Sequence, residues 1–179
     1  MSGFGKKITA TKERTYEERV QDARQEGDKG ADLFCRFLST FPNLTVREMG
    51  FDHANKNVPF FYNIHPVLRS LPDFVVVGDK GQITYCHIKG TTNIKLDDIY
   101  RYRAFHDLFA IKDEWNKVRI ANSIIVFADD PENITYLTLS TLQAALVNKT
   151  IRSYPDNIPK PYVSISKQDT APLKEEIFL

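Results

Sequence analysis

Two rhythms of apolar spacing run along this chain and divide it into helices and strands. From Thr15 the segment YEERVQDARQEGDKGADLFCRFLSTF is helical in composition, and Thr15 with Glu18 three residues later is a capping-box signal. Its second part carries Leu33, Phe34, Phe37 and Leu38 at i, i+3, i+4 spacing. The run Gly27-Asp28-Lys29-Gly30 interrupts the pattern and predicts a division into two helices, the second ended by Pro42-Asn43. LTVREMGF, Leu44 to Phe51, reads as a strand. The next stretch, DHANKNVPFFYNIHPVLRS, is rich in asparagine and holds Pro59 and Pro66, so it reads as a long loop of the kind that often carries function. DFVVV then forms a continuous apolar strand, GDKG a hairpin turn, and QITYCHIK the returning strand. Period two places His87 and Lys89 on one face of that strand and Cys86 and Ile88 on the other. Apolar residues on both faces suit a strand covered on both sides.

KLDDIYRYRAFHDLFAIKDEW is the clearest helix. Leu96, Tyr100, Ala104, Leu108 and Ile111 make one stripe, widened by Ile99, Phe105 and Phe109. SIIVFADD reads as a buried strand closed by an acidic turn, TLSTLQAALVNKT as a helix from Ser140 or Thr141, and PYVSIS as a last strand. The order helix, strand, hairpin, helix, strand, helix predicts an α/β domain, with a mixed central sheet flanked by helices. Residues 1–14 read as a loose arm, 15–166 as a single domain and 167–179 as a C-terminal tail, whose APLKEEIFL could dock on a larger complex.

Hydrophobic residues at 42% and charged residues at 26% describe a globular chain. Lys plus Arg number 24 against 23 for Asp plus Glu, so any basic patch is local. Cys35 and Cys86 are expected to be reduced, buried thiols of a cytoplasmic protein, or of host-cell cytoplasm for a chain of viral origin. MSGFGKK leads into no apolar run, and no segment approaches the ~20 apolar residues of a membrane helix, so no membrane partner is expected.

The chemistry gathers at the hairpin, where Asp73 stands before the first strand and HIKG ends the second. An aspartate, a histidine and a lysine so placed could form a metal site or be ordinary strand residues. The arrangement resembles the PD-(D/E)XK nuclease superfamily, whose pattern is an aspartate, a hairpin turn and acid-x-lysine on the returning strand. Asp73 matches the aspartate, Lys89 the lysine, and Gly90 is common after it. KGADLFCRFL offers Asp32 as the acid of the first helix, with Glu17 as a rival. In DIYRY, Asp98 and Tyr102 take the spacing of a Gln-x-x-x-Tyr motif that follows the lysine strand in many members. The resemblance spans roughly Gly30 to Asp129.

That resemblance implies a restriction-endonuclease-like core and a metal-dependent endonuclease acting on duplex or branched DNA, as a homodimer where both strands are cut. Asp73, Asp32 and the main-chain carbonyl of Ile88 would hold Mg²⁺ or Mn²⁺, and Lys89 would be the electrostatic catalyst. The departure is His87, which stands where the family has Glu or Asp. Mg²⁺ prefers oxygen, whereas imidazole suits Mn²⁺ and softer ions. His87 is then a ligand, a general base, or the sign of a nuclease-fold protein that has lost catalysis and binds nucleic acid or a protein partner. Lys95, Arg101, Tyr102 and Arg103 suit phosphate contact and base stacking. The competing reading of YRYR is a half-buried helix with snorkelling arginines. His53, His65 and His106 have no motif to place them, and no second Cys/His pair has the spacing of a zinc site.

Overall fold

The computed structural model describes residues 16–50, 68, 71–108, 111–112, 118–119, 122–147, 149–152 and 161–179. The arm 1–14, the capping Thr15, most of the loop before the hairpin with His53 and His65, Phe109, and the side chain of Glu17 lie outside what is described. The elements are α1 (Tyr16–Leu38), β1 (Thr45–Glu48), β2 (Phe74–Val77), β3 (Ile83–Lys89), β4 (Asn93–Lys95), α2 (Leu96–Leu108), β5 (Ile111–Lys112), β6 (Val118–Arg119), β7 (Asn122–Phe127), β8 (Thr135–Thr138), α3 (Leu139–Leu146), β9 (Tyr162–Ser164) and β10 (Ala171–Pro172).

The hairpin forms where the sequence predicts it. Gly81 takes φ +81°, a conformation that L side chains resist, and β2 and β3 pair antiparallel from Phe74↔Cys86 to Val77↔Ile83. β3 then pairs parallel with β7, from Thr84↔Asn122 to Lys89↔Phe127. A parallel pair needs a crossover connection, and α2 lies in it. The central sheet has six strands in the order β1-β2-β3-β7-β8-β10, antiparallel except at β3/β7. The fold is therefore α/β with a mixed sheet between helices.

Each face of the sheet carries its own core. On one, Ala31, Phe34 and Leu38 of α1 pack against Phe74, Val76, Cys86, Ile124 and Val126. On the other, Tyr102, Leu142 and Ala145 from α2 and α3 meet Ile125, Phe127 and Leu137, joined by Ile94 and Val163 of the small β4/β9 sheet.

Four expectations change. α1 runs unbroken through Gly27 and Gly30. Glycine costs a helix about 1 kcal/mol against alanine, but here it lets the helix lie almost on the sheet. A Cβ on Gly30 would stand 3.1 Å from Gly90 Cα, and one on Gly90 would stand 2.1 Å from the Glu26 carbonyl oxygen. The buried stripe of α2 is also rotated from the one the apolar residues suggest. Tyr100 is 73% exposed and Ala104 is exposed, while Tyr102 and Phe105 are buried. Ile111 falls outside that helix, in β5. The tail, 167–179, belongs to the fold: β10 pairs with β8, and Leu173 and Phe178 enter the α1-side core. Pairing and burial of this kind use the tail's apolar residues internally. Both cysteines are free, but only Cys86 is buried; Cys35 is exposed on α1.

The close crossing at Gly90 gives a direct test. Gly90→Ala should destabilise the protein by about 1–3 kcal/mol, because its methyl meets helix backbone that cannot rotate away. Gly27→Ala, whose Cβ meets nothing within 4 Å, should stabilise it by about 0.5–1 kcal/mol. Urea midpoints of the two variants, at unchanged slope, check both signs.

Candidate functional site

β3 presents Tyr85, His87 and Lys89 to α2, and Thr84, Cys86 and Ile88 to α1, by simple strand alternation. The α2 face is where polar groups collect. Tyr85 meets Phe105 edge-on at 5.1 Å between ring centroids. One step further along, His87 stacks on Tyr102 at 3.8 Å with 29° between the ring planes, and Phe105 approaches its edge at 6.1 Å. One step beyond that, Lys89 Nζ donates to Asp98 Oδ2 at 2.7 Å and lies 5.4 Å from the centre of the Tyr102 ring. Asp98 and Tyr102 are four residues apart on α2, so a single helix face supplies both partners. Arg101 stands 3.7 Å from the other oxygen of Asp98.

Asp73, the residue just before β2, joins this group. Its Oδ2 accepts from the Ile88 N–H at 2.6 Å, which seats the carboxylate against the strand segment between His87 and Lys89. Its own main-chain carbonyl accepts from Met49 and Gly50, at 2.9 and 3.3 Å, and so ties the end of β1 to the same corner. The cluster sits at the carboxyl end of β3, beside the parallel β7, where open α/β sheets place ligands.

The electrostatics follow from burial and pairing. Burial opposes the charge on Lys89, but Tyr102 and then Asp98 outweigh it and hold the ammonium above the ordinary lysine range. Burial likewise opposes ionisation of Asp98, yet the Lys89 ammonium, with Lys95 and Arg101, draws its carboxyl below the usual value. Burial pushes the Tyr102 hydroxyl up against the pull of Lys89, and the charges of Asp98 and Asp73 add to it. His87 is 1% exposed. Its burial, reinforced by Lys89, lowers its pKa from 6.5 to about 3. The ring is therefore neutral at physiological pH, and its Nε2 has no hydrogen-bond partner among the described residues.

No protein-family model, curated protein or solved structure matches this chain. The site is thus argued from its own residues. Asp73 is joined to the strand segment of His87 and Lys89 through the main chain, while His87 stacks on Tyr102 and Lys89 is closed on Asp98. Ile88 takes part through its N–H, on Asp73. Asp32 does not join them in any described contact: it is exposed on α1, where its charge acts on Cys35 alongside Glu48. Lys95 and Arg103 are exposed, and the Arg101 side chain is 37% exposed, so all three are open to a ligand. Tyr102 is not: at 8% exposure, with His87 on its ring, it is part of the floor of the cluster and has no face left for a base. His106 is half-buried on α2 and makes no described contact with the cluster. The residue that the motif reading left without a role is Asp98. Its signal was present in the Asp98-x-x-x-Tyr102 spacing.

A divalent cation fits this donor set in part. Among the described residues no three His, Cys, Asp or Glu side chains gather to hold a metal. Mg²⁺ nevertheless keeps several waters and binds proteins through one or two carboxylates. The Asp73 carboxylate is an oxygen donor of that type, whereas the Asp98 carboxylate is closed on Lys89 and Arg101.

Burial of a neutral His87 has a consequence for acid stability. Its folded pKa lies below its unfolded one, so between pH 6.5 and about 3 the unfolded chain binds a proton that the folded chain refuses. The metal-free protein should lose stability as pH falls through that window, by up to about 1.4 kcal/mol per unit. His87→Phe, which keeps the stack on Tyr102 without a titrating nitrogen, should flatten that dependence while costing little at pH 7. Urea unfolding of both proteins across the window tests it; equal slopes would show that His87 is charged in the fold.

Proposed function

We propose that this chain is a nuclease-like α/β domain and acts as a metal-dependent endonuclease on DNA. The carrying observation is the Asp73 Oδ2 to Ile88 N–H hydrogen bond of 2.6 Å, which brings the aspartate of one hairpin strand onto the His-x-Lys of the next. The crossover order supports the reading too: a helix precedes the hairpin, and α2 then leads from β3 to a parallel β7 on the other side of it. That is the order of elements the sequence resemblance implies.

In this reading Asp73 and the main-chain carbonyl of Ile88 would hold a divalent cation, either Mg²⁺ or Mn²⁺. Such an ion polarises the scissile phosphate and lowers the pKa of an attacking water. Lys89, kept charged by Asp98, stabilises the charge that develops on the phosphate. Lys95, Arg101 and Arg103, on the same side of β3 as α2, hold the flanking backbone. His87 serves as a packed, neutral ring under the site, which its burial and stacking support better than a role as a general base.

A second reading is favoured by one specific observation. The Lys89 ammonium is already closed on Asp98 at 2.7 Å, as it would be in a nuclease-fold protein that binds nucleic acid without cutting it. Incubation with supercoiled and branched DNA in Mg²⁺, Mn²⁺ or EDTA separates the two. The endonuclease reading expects nicking that EDTA abolishes, a loss of about 100-fold or more in Lys89→Ala, and a more severe loss in Asp73→Asn. Lys95→Ala should mainly weaken binding and reduce its salt dependence. DNA retarded in a gel but never nicked, with any ion, would establish the binding protein instead.

A further inference from the structure

We propose that Asp98 is an internal latch on this site: in the free protein its carboxylate takes the place of a nucleic-acid phosphate, and the incoming phosphate displaces it from Lys89 and Arg101. The inference rests on the reading of this corner as a nucleic-acid contact, which the endonuclease and the binding protein share. It adds to that reading how the contact is regulated. Asp98 is then a positioning residue that acts through Lys89.

Geometry carries the argument. The two oxygens of Asp98 serve different cations. Oδ2 accepts from Lys89 Nζ at 2.7 Å, and Oδ1 stands 3.7 Å from Arg101 Nη1. Two oxygens on one centre, each facing its own cation, is also how the non-bridging oxygens of a phosphodiester meet lysine and arginine. The charge of Lys95 acts on the same carboxylate. Three cations thus surround Asp98, more than one carboxylate neutralises, and the excess favours an anionic ligand.

Exposure lets the latch open. The Asp98 side chain keeps 16% of its surface, that of Lys89 22% and that of Arg101 37%. A pair sealed from water resists separation, whereas one open to solvent on one side exchanges partners readily. Lys95 is exposed, so a phosphate can be held by Lys95 and Arg101 before Lys89 turns to it. The Tyr102 ring, with its centre 5.4 Å from Lys89 Nζ, gives the ammonium a second contact that does not depend on Asp98.

The test measures binding of a fluorescent branched DNA, with duplex arms and a single-stranded flap, in EDTA, so that affinity is read without cleavage. Asp98→Asn keeps the shape and removes the charge. It should bind about 5- to 10-fold more tightly than wild type at about 0.1 M salt, and its plot of log Kd against log salt should be steeper by about 0.9, the effect of one added phosphate contact. Asp98→Asn/Lys89→Met should lose most of that gain, because the gain belongs to the released ammonium. Asp97→Asn makes the same change of charge at the exposed neighbouring position and should alter affinity by less than about 3-fold. A residue that merely braced Lys89 would weaken binding when neutralised. Should Asp98→Asn not fold, by near-UV circular dichroism, the wild type decides by NMR. Transfer of the hydrogen-bond coupling of the Lys89 ammonium from the Asp98 carboxyl carbon to DNA phosphorus supports the latch, and its retention on the carboxyl overturns it. A wild type that binds DNA, with Asp98→Asn binding equally or more weakly or Asp97→Asn gaining as much, would overturn the latch and leave the nucleic-acid reading standing. Failure of both wild type and Asp98→Asn to bind would overturn both.

Discussion

The ammonium of Lys89 is the constraint around which one half of the molecule is arranged. It stands on an inner strand of a sheet covered on both faces, at a half-buried position. A charge so placed needs a partner, and Asp98 provides one at 2.7 Å. That requirement fixes the rotation of α2. The helix must turn Asp98 toward β3, and with it Tyr102, four residues on, which then covers His87. Tyr100 is carried out to solvent as a result. The ion pair adds to an apolar inner face in which Tyr102 and Phe105 are buried and Leu96 and Ile99 pack against the core. Phe105 anchors it against Tyr85 and His87, while the polar contacts set its register.

The opposite face is governed by close approach. α1 can reach the carboxyl end of β3 only because Gly30 and Gly90 face each other. Phe34 then meets Phe74 at 5.6 Å between centroids, and the tail closes the remaining edge with Leu173 and Phe178. Two different solutions thus flank one strand: dry packing with glycine contact on the α1 side, and an interlocked polar cluster on the α2 side. The second is costlier to build, since each buried polar group must be satisfied. Among the described residues His87 Nε2 is the nitrogen of the cluster left without a partner. Among the described residues no helix is long and apolar enough to cross a membrane.

Much of this was determined by the sequence by itself. The period-two runs, the Gly81 turn and the alternation of elements dictate a hairpin inside an α/β sheet, because side-chain direction in a strand depends only on neighbours in the chain. The same local rule put His87 and Lys89 on one face and brought Asp73 to the strand opposite. The remaining features depend on contacts across the sheet. Glycines 27 and 30 read as a break, since nothing local announces that Gly90, sixty residues on, will lie against Gly30. The inner face of α2 was hidden in part because Asp98 shares it with Tyr102 and Phe105: apolar spacing selects Tyr100 and Ala104 as well, and only the position of Lys89 selects Asp98. β8 and β10 are short and gain their identity from pairing. These features rest on contacts between distant residues, whose energy no local pattern records.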